Sequence, residues 1–242
     1  ALKRDRPIAS NGSTACNAAP ASKRVPPTPY KGCIPDMEFL QEVAALFVDR
    51  ADWFAGLLVE HIALSAIAIA IAGTLGLLLG ILVAEHRRFA PFIIGICNVV
   101  YTIPSIALLG LLIPLLGIGG TNAIVALIIY ALMPMVRNTY VGLTDIDPDI
   151  IEAARGMGST RLQTLVHVRL PMATSVILAG LRSMVVMTIS VAGIAAFIGA
   201  GGLGVAIFRG ITLYNPPLTF AGALMIALLA LVADLLLGMV EK

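Results

Sequence analysis

Charge is what this 242-residue chain has least of: Asp, Glu, Lys and Arg together make up 12% of it, against about a quarter in a soluble domain. With 59% of its residues apolar and a mean hydropathy of +0.96, it has too few charges to cover a water-facing surface. The apolar residues also run in long blocks rather than at amphipathic spacing, which puts them in lipid. A net charge of +2 gives no electrostatic case for nucleic acid. Cysteine is scarce too. Cys16 and Cys33 sit in a polar N-terminal stretch and Cys97 in an apolar block. No pair has metal-ligand spacing, so neither a metal site nor a disulfide framework is expected, and a Cys16–Cys33 bridge would require that stretch to lie outside the cytoplasm. No apolar h-region of a signal peptide precedes residue 36.

Enzyme motifs are also missing. GxxxxGK[ST], HExxH and the nucleophile elbow do not occur, so no catalytic residue and no cofactor of its own is expected of this chain. Gly199–Gly204 satisfies GxGxxG, but a dinucleotide site needs a strand before it and a βαβ unit around it. An apolar span precedes it instead, so it reads as a flexible turn whose small residues allow tight packing.

Residues 1–35 are rich in Pro, Ala, Ser and Lys/Arg and cannot bury enough surface to offset their ordering entropy. They read as a disordered tail. Six Lys/Arg lie within the first 31 residues, so the tail is foreign to the chain, or follows an upstream span, or escapes the positive-inside rule by its length. Residues 36–58 alternate acids with Phe39, Leu40, Val43, Leu46, Phe47, Trp53 and Phe54. That pattern predicts an amphipathic helix at the membrane interface, with Trp53 at headgroup level.

Five spans follow: His61–Ala84, long enough to cross at the ~20 residues a bilayer requires, then Pro91–Leu116, Asn122–Val136, Pro171–Gly199 and Leu218–Val240. Pro104 and Pro114 interrupt the second. A proline removes a ladder hydrogen bond, and in lipid the freed groups need protein or a wet cavity. The break at Tyr101–Ser105 is therefore either a pathway-lining element or a packing kink. Gly73, Gly76 and Gly80 in the first span invite close approach of another helix. Arg87, Arg88, Arg155, Arg161 and Arg169 lie in loops on one side, while the opposite loops carry only Arg209. The positive-inside rule then puts the N-terminal side outside and the C-terminus in the cytoplasm.

The polar stretch at 144–171 has dense helix signals. Asp147 is an N-cap with Pro148 at N1, Asp149 and Glu152 sit near the positive helix end, and Gly156 and Gly158 offer a stop. Thr160 and Gln163 make a capping box that opens a second helix. Ile150, Ile151, Ala154 and Met157 form an apolar face that requires something to dock on it. Glu152-Ala153-Ala154, Gly158, and Val168-Arg169-Leu170-Pro171 resemble the EAA signature of ABC-importer permeases, with every element in register and Val168 in place of Ile.

That resemblance implies an all-α membrane protein of about five transmembrane helices, the type I ABC-importer permease (MetI-like) fold spanning 59–242, in the bacterial inner membrane. It implies that Glu152, Ala153, Ala154, Gly158, Val168, Leu170 and Pro171 build a cytoplasmic coupling helix that docks on an ATPase. The implied partners are two ABC ATPase subunits that bind the ATP and Mg, a second permease copy or a paralogue, and an extracytoplasmic substrate-binding protein. YTIPSIALLGLLIPLLGIG, ALMPMVRNTYVGL and AAFIGAGGLGVAIFRGITLYN are most similar to the branch importing glycine betaine, choline or carnitine; the methionine branch shares the GAGGLG segment.

Pathway candidates are Tyr101, Pro104, Ser105, Tyr130 and Asn138, together with Arg182 and Asp234, the two charges inside spans. Those two pair, or line the pathway, or Arg182 snorkels to the interface. Tyr101, Tyr130, Tyr140, Phe197 and Tyr214 offer aromatic faces to a quaternary ammonium. An ion-coupled transporter would instead need acid or His relays and an inverted repeat, and a membrane scaffold would make the EAA register accidental.

Overall fold

The computed structural model describes residues 37–240, and among them every regular element is helical. The tail at 1–35, with Cys16 and Cys33, lies outside the described residues. Helix α1 spans Met37–Asp49 and stops at Arg50, whose φ of −127° and ψ of 30° break the ladder. Helix α2 then runs unbroken through Ala51–Glu85, 35 residues with no proline and many Ala, Leu and Ile. The structure thus ends the first helix at Asp49, and residues 51–58 belong to the same unbroken helix as the first span. The reason is packing. Phe54 is buried between Phe47 and Trp53 with ring centroids 5.0 Å from each, and the Arg209 guanidinium sits 5.4 Å over the Trp53 ring.

After a 3-10 turn at Arg87–Phe89 come α3 (Ala90–Thr102) and α4 (Ser105–Leu116), bent by 100° at their junction. Ile103 is extended (φ −68°, ψ 127°), as the residue before a proline prefers, and Pro104 has no N–H to continue the helix. The second span is therefore two helices, and only Pro104 breaks it. Pro114 stays within α4. The pair still makes one crossing. It leaves from the Glu85 end of α2 and arrives at Gly117–Gly120, where Gly120 faces Leu64 near the opposite end of α2 and Ile118 faces Gly199. With four other helices long and apolar enough to span, the crossings among the described residues number five when this pair counts as one.

Helix α5 (Gly120–Thr144) leads to the short α6 (Pro148–Gly156) and α7 (Arg161–Thr164). A π-turn at Leu165–Arg169 joins α7 to α8 (Leu170–Ala192), and a 3-10 stretch at Gly193–Ile198 continues it. Helices α9 (Gly204–Thr212) and α10 (Pro216–Val240) complete the chain. The buried core runs between α2, α5, α8, α9 and α10 through Ala72, Met135, Met184, Ile189, Leu203 and Leu218.

The glycines of α2 find their partner within this chain. A Cβ at Gly76 would lie 2.7 Å from the Met135 Cβ, and one at Gly80 would lie 2.5 Å from the Thr139 Cβ. Helices α2 and α5 therefore touch backbone to side chain with no cushion. Small residues serve this purpose where lipid offers no hydrophobic drive.

Candidate functional site: the α6–α7 hairpin

Local chemistry builds the hairpin at 147–171. The Asp147 carboxylate accepts the Asp149 N–H at 2.9 Å, and Pro148 begins α6 where a missing donor costs nothing. At the other end the Gly158 N–H donates to the Arg155 carbonyl (2.9 Å) and the Ser159 N–H to the Ala154 carbonyl (3.2 Å). This is a Schellman closure, and it requires a left-handed residue where Gly158 stands at φ +88°. A Cβ there would meet nothing within 4 Å. Gly158 is thus needed for its backbone rather than for room against its own chain.

The Thr160–Gln163 capping box forms as expected, with bonds of 2.8 and 3.3 Å. The π-turn has a simple cause: Pro171 supplies no donor and crowds the carbonyl four residues back, so the ladder widens there and the Leu170 N–H reaches Leu165 instead.

The expected apolar face divides. Ala154 is buried (4% exposed) and Ile151 half-buried, while Ile150 and Met157 are exposed, Met157 by 82%. Half of that face holds the hairpin together, so only the other half is free to dock. Glu152 and Ala153 are exposed beside it. Val168 and Leu170 are half-buried, Leu170 against the cluster of Ala84, Leu143 and Ala173, and Pro171 is exposed.

Arg169, at the one unspecified position between Val168 and Leu170-Pro171, fastens the hairpin to the spans. Its Nη1 donates to Glu85, the last residue of α2, and its Nη2 to the Leu143 carbonyl near the end of α5 at 3.0 Å. Its Nε is buried without an acceptor. It also borders a cleft of about 720 Å3 between the hairpin and the α2–α3 elbow, lined by Arg87, Arg88, Arg155 and Arg161. Sequence reasoning missed this tie, because its partners lie 84 and 26 residues away. The available signal was Glu85, an anion at the negative end of a helix dipole, which calls for a cation.

The pathway candidates fall in three places. Tyr101, Pro104, Ser105 and Tyr130 meet at the α3–α4 break. The tyrosine rings stand edge to face with centroids 6.1 Å apart, and the Tyr130 hydroxyl donates to the Ile103 carbonyl that the break sets free. The Tyr101 hydroxyl points at the Met187 sulfur at 3.6 Å. The cavity that Ser105 and Tyr130 line holds about 10 Å3, room for no more than about one water. Asn138 donates to the Pro134 carbonyl at 2.8 Å and fills the space left by Gly180, so it sits at the α5–α8 crossing. Arg182 and Asp234 pair by a fork: Nε to Oδ1 at 2.5 Å and Nη2 to Oδ2 at 2.6 Å, with Gly238 leaving room for the guanidinium. Of the remaining aromatics, Tyr140 is half-buried and packs on the Ala84–Leu143–Ala173 cluster, Phe197 stands edge to face on Phe208 at 5.0 Å, and Tyr214 is exposed.

At the far end, the glycine-rich segment is clamped rather than flexible, contrary to its reading from sequence. The Glu60 carboxylate accepts the Gly202 N–H at 3.0 Å, and His61 Nδ1 accepts the Leu203 N–H at 3.3 Å. The other ring nitrogen, Nε2, then carries the proton and donates to the Ile189 carbonyl at 3.0 Å. His61 is fully buried. His61→Leu would orphan two buried backbone groups at about 1–3 kcal/mol each. Glu60→Gln keeps an acceptor for the Gly202 N–H. Thermal unfolding in detergent should therefore show a clear loss for the first variant and little for the second.

The family described as the inner membrane component of binding-protein-dependent transport systems matches residues 76–242, from the middle of α2 through the hairpin to the chain end. Among curated proteins, the carnitine transport permease protein OpuCB of Listeria monocytogenes is 43% identical over 75% of this chain and 84% of its own length. The osmoprotectant import permease protein OsmW of Salmonella typhimurium is 45% identical over 78% and 91%. The glycine betaine/carnitine/choline permease OpuCD of Bacillus subtilis is 38% identical over 85% and 90%. Among solved structures, a chain of the inward-facing MetNI methionine ABC transporter superposes with a TM-score of 0.72 at 23% identity, over 78% of this chain and 94% of that one. At that identity the likeness is one of fold. The chain belongs to the family of multi-pass inner-membrane permease subunits of binding-protein-dependent ABC importers, non-catalytic subunits that work with a separate ATPase and a substrate-binding protein.

Proposed function

We propose that this subunit forms half of the pathway of an osmoprotectant importer for a quaternary ammonium solute of the betaine, carnitine or choline kind, and that the α6–α7 hairpin is its ATPase-coupling element. The observation that carries the coupling reading is the hairpin's construction. It is capped at both ends, closed by a left-handed Gly158, and presents Glu152, Ala153, Ile150 and Met157 outward. Exposed apolar side chains on a rigid polar loop are what a docking surface needs. The substrate class rests on the named transport of relatives at 38–45% identity; the methionine importer shares the fold at 23%.

The basic residues gather at the hairpin end, namely Arg87, Arg88, Arg155, Arg161 and Arg169, which faces that end to the cytoplasm, with the Glu60–Gly202 clamp and the N-terminal side outside. Five crossings are too few to close a pathway alone, so a second copy or a paralogue supplies the other wall. Two ATPase subunits bind the ATP and Mg, and an extracytoplasmic binding protein delivers the solute to the outer end. Closure of the ATPases pushes the hairpins and rocks the bundles between outward and inward access. The exposed Tyr101 ring at the break offers an aromatic face on which an ammonium can rest in passing.

Uptake of labelled betaine, carnitine, choline and methionine by the complex reconstituted with its binding protein tests the substrate class; accumulation of methionine alone would overturn it. Glu152→Lys reverses the charge on the docking face, and Gly158→Val forces a β-branched residue into left-handed backbone at a cost of at least about 1–2 kcal/mol. Each should cut ATP-driven uptake at least about tenfold while the subunit remains in the membrane. Normal uptake in both would refute the docking role.

A further inference from the structure

The geometry points to Arg169 as a positioning residue that relays hairpin movement into the α2–α5 pair through Glu85 and the Leu143 carbonyl. This inference rests on the coupling reading of the hairpin but names a residue that the EAA pattern leaves unspecified. A push on the hairpin has an obvious route along its continuous helix into α8, since Arg161–Ile198 is one helical path. That path contains the π-turn Leu165–Arg169, where the ladder is widened and α8 begins anew at Leu170-Pro171. A widened turn is a compliant joint in an otherwise stiff rod. Arg169 occupies that joint and reaches sideways to two other helix ends.

Three features make this reach a mechanical link. First, the side chain is only 12% exposed, and its fork engages an anion and a helix-terminal carbonyl together, which fixes its orientation better than a single bond would. Lysine has no such fork. Second, what it holds is rigid. Helix α2 is locked on α5 at Gly76 and Gly80, so a force on Glu85 or Leu143 moves the two helices as one. Third, there is room for motion. The cleft of about 720 Å3 separates the α6–α7 arginines from the α2–α3 elbow, so the hairpin can close toward the elbow, and the unpartnered Nε leaves the guanidinium a donor to use in another state. Of the two ion pairs among the described residues, Arg169–Glu85 alone reaches from this cleft to a span. Hinge and lock thus sit one side chain apart.

The test measures solute uptake and ATP hydrolysis in the same proteoliposomes, loaded with the permease, its ATPase and its binding protein. The variants are Glu85→Gln, Arg169→Lys, Arg169→Met and the double Glu85→Gln/Arg169→Met. The expected result is that the ATPase co-purifies with every variant in the wild-type ratio. Solute moved per ATP should fall about fivefold or more in Arg169→Met and Glu85→Gln, with Arg169→Lys between these and wild type. The double variant should be no worse than Arg169→Met, because both changes cut the same link. Unchanged solute per ATP in Glu85→Gln and Arg169→Met, or losses that multiply in the double, would overturn the relay. So would loss of the ATPase from the variants, since the residue would then shape the docking surface instead. A wild-type complex that binds no ATPase would sink the coupling reading itself, a separate outcome visible before any variant is made.

Discussion

Gly204→Ala should abolish the folded subunit. A Cβ at this position would lie 1.8 Å from the Gly193 carbonyl oxygen and 2.8 Å from its carbon, both backbone atoms that no rotamer change can remove. Relief requires the start of α9 to part from the 3-10 stretch Gly193–Ile198 by more than an ångström. That movement would drag Leu203, which is fully buried, and the His61 bond it donates to. Overpacking of ordinary cores costs about 1–3 kcal/mol, and a backbone-to-backbone collision belongs at or beyond the top of that range. Size-exclusion profiles and thermal midpoints of detergent-solubilised protein measure it. Gly156→Ala provides the control: a Cβ there meets nothing within 4 Å, and alanine gains up to about 1 kcal/mol of helix propensity. Equal behaviour of the two variants would show that the α9 contact is looser than its geometry.

The second large effect is expected at Arg182 and Asp234. Arg182→Met leaves the Asp234 carboxylate on an apolar helix without its forked partner, and a lone charge within a span is costly. Removing one member of such a pair costs more than removing both. The double variant Arg182→Met/Asp234→Leu should therefore regain most of the stability that the single variant loses. Thermal midpoints of the three proteins decide the stability question, and uptake decides the other. Restored stability with restored uptake makes the pair structural; restored stability without uptake places it in the transport path. A double variant as unstable as the single would mean that the two charges do not act through each other.

What the chain made legible in advance divides by sequence distance. The hairpin could be read because its caps, its glycine closure and its proline act within five residues of one another, and the motif register lies over the same stretch. The break at Pro104 was legible for the same reason, whereas its 100° turn was not, because that angle depends on Tyr130 closing the Ile103 carbonyl from 27 residues away. Gly202 looked like a loose turn since its restraint comes from Glu60, 142 residues earlier. The continuity of residues 51–58 with the helix of the first span was not legible, because Asp52 and Glu60 suggested a separate segment in water. Trp53 and Phe54 pack into protein there, and Glu60 is spent on a backbone N–H.

The inner stripe of α2 narrows from Phe54, Leu57 and His61 through Ser65, Ala68 and Ala72 to Gly76 and Gly80, and widens again at Val83 and Ala84. Such a waist acts as a notch. Sliding α2 along α5 by one turn in either direction would set Ala72 or Ala84 against a slot cut for glycine, so the two crossings cannot ratchet past each other by a turn. Any alternation of the pathway must then come from whole-body tilting, with the jointed α3–α4 segment taking up the difference.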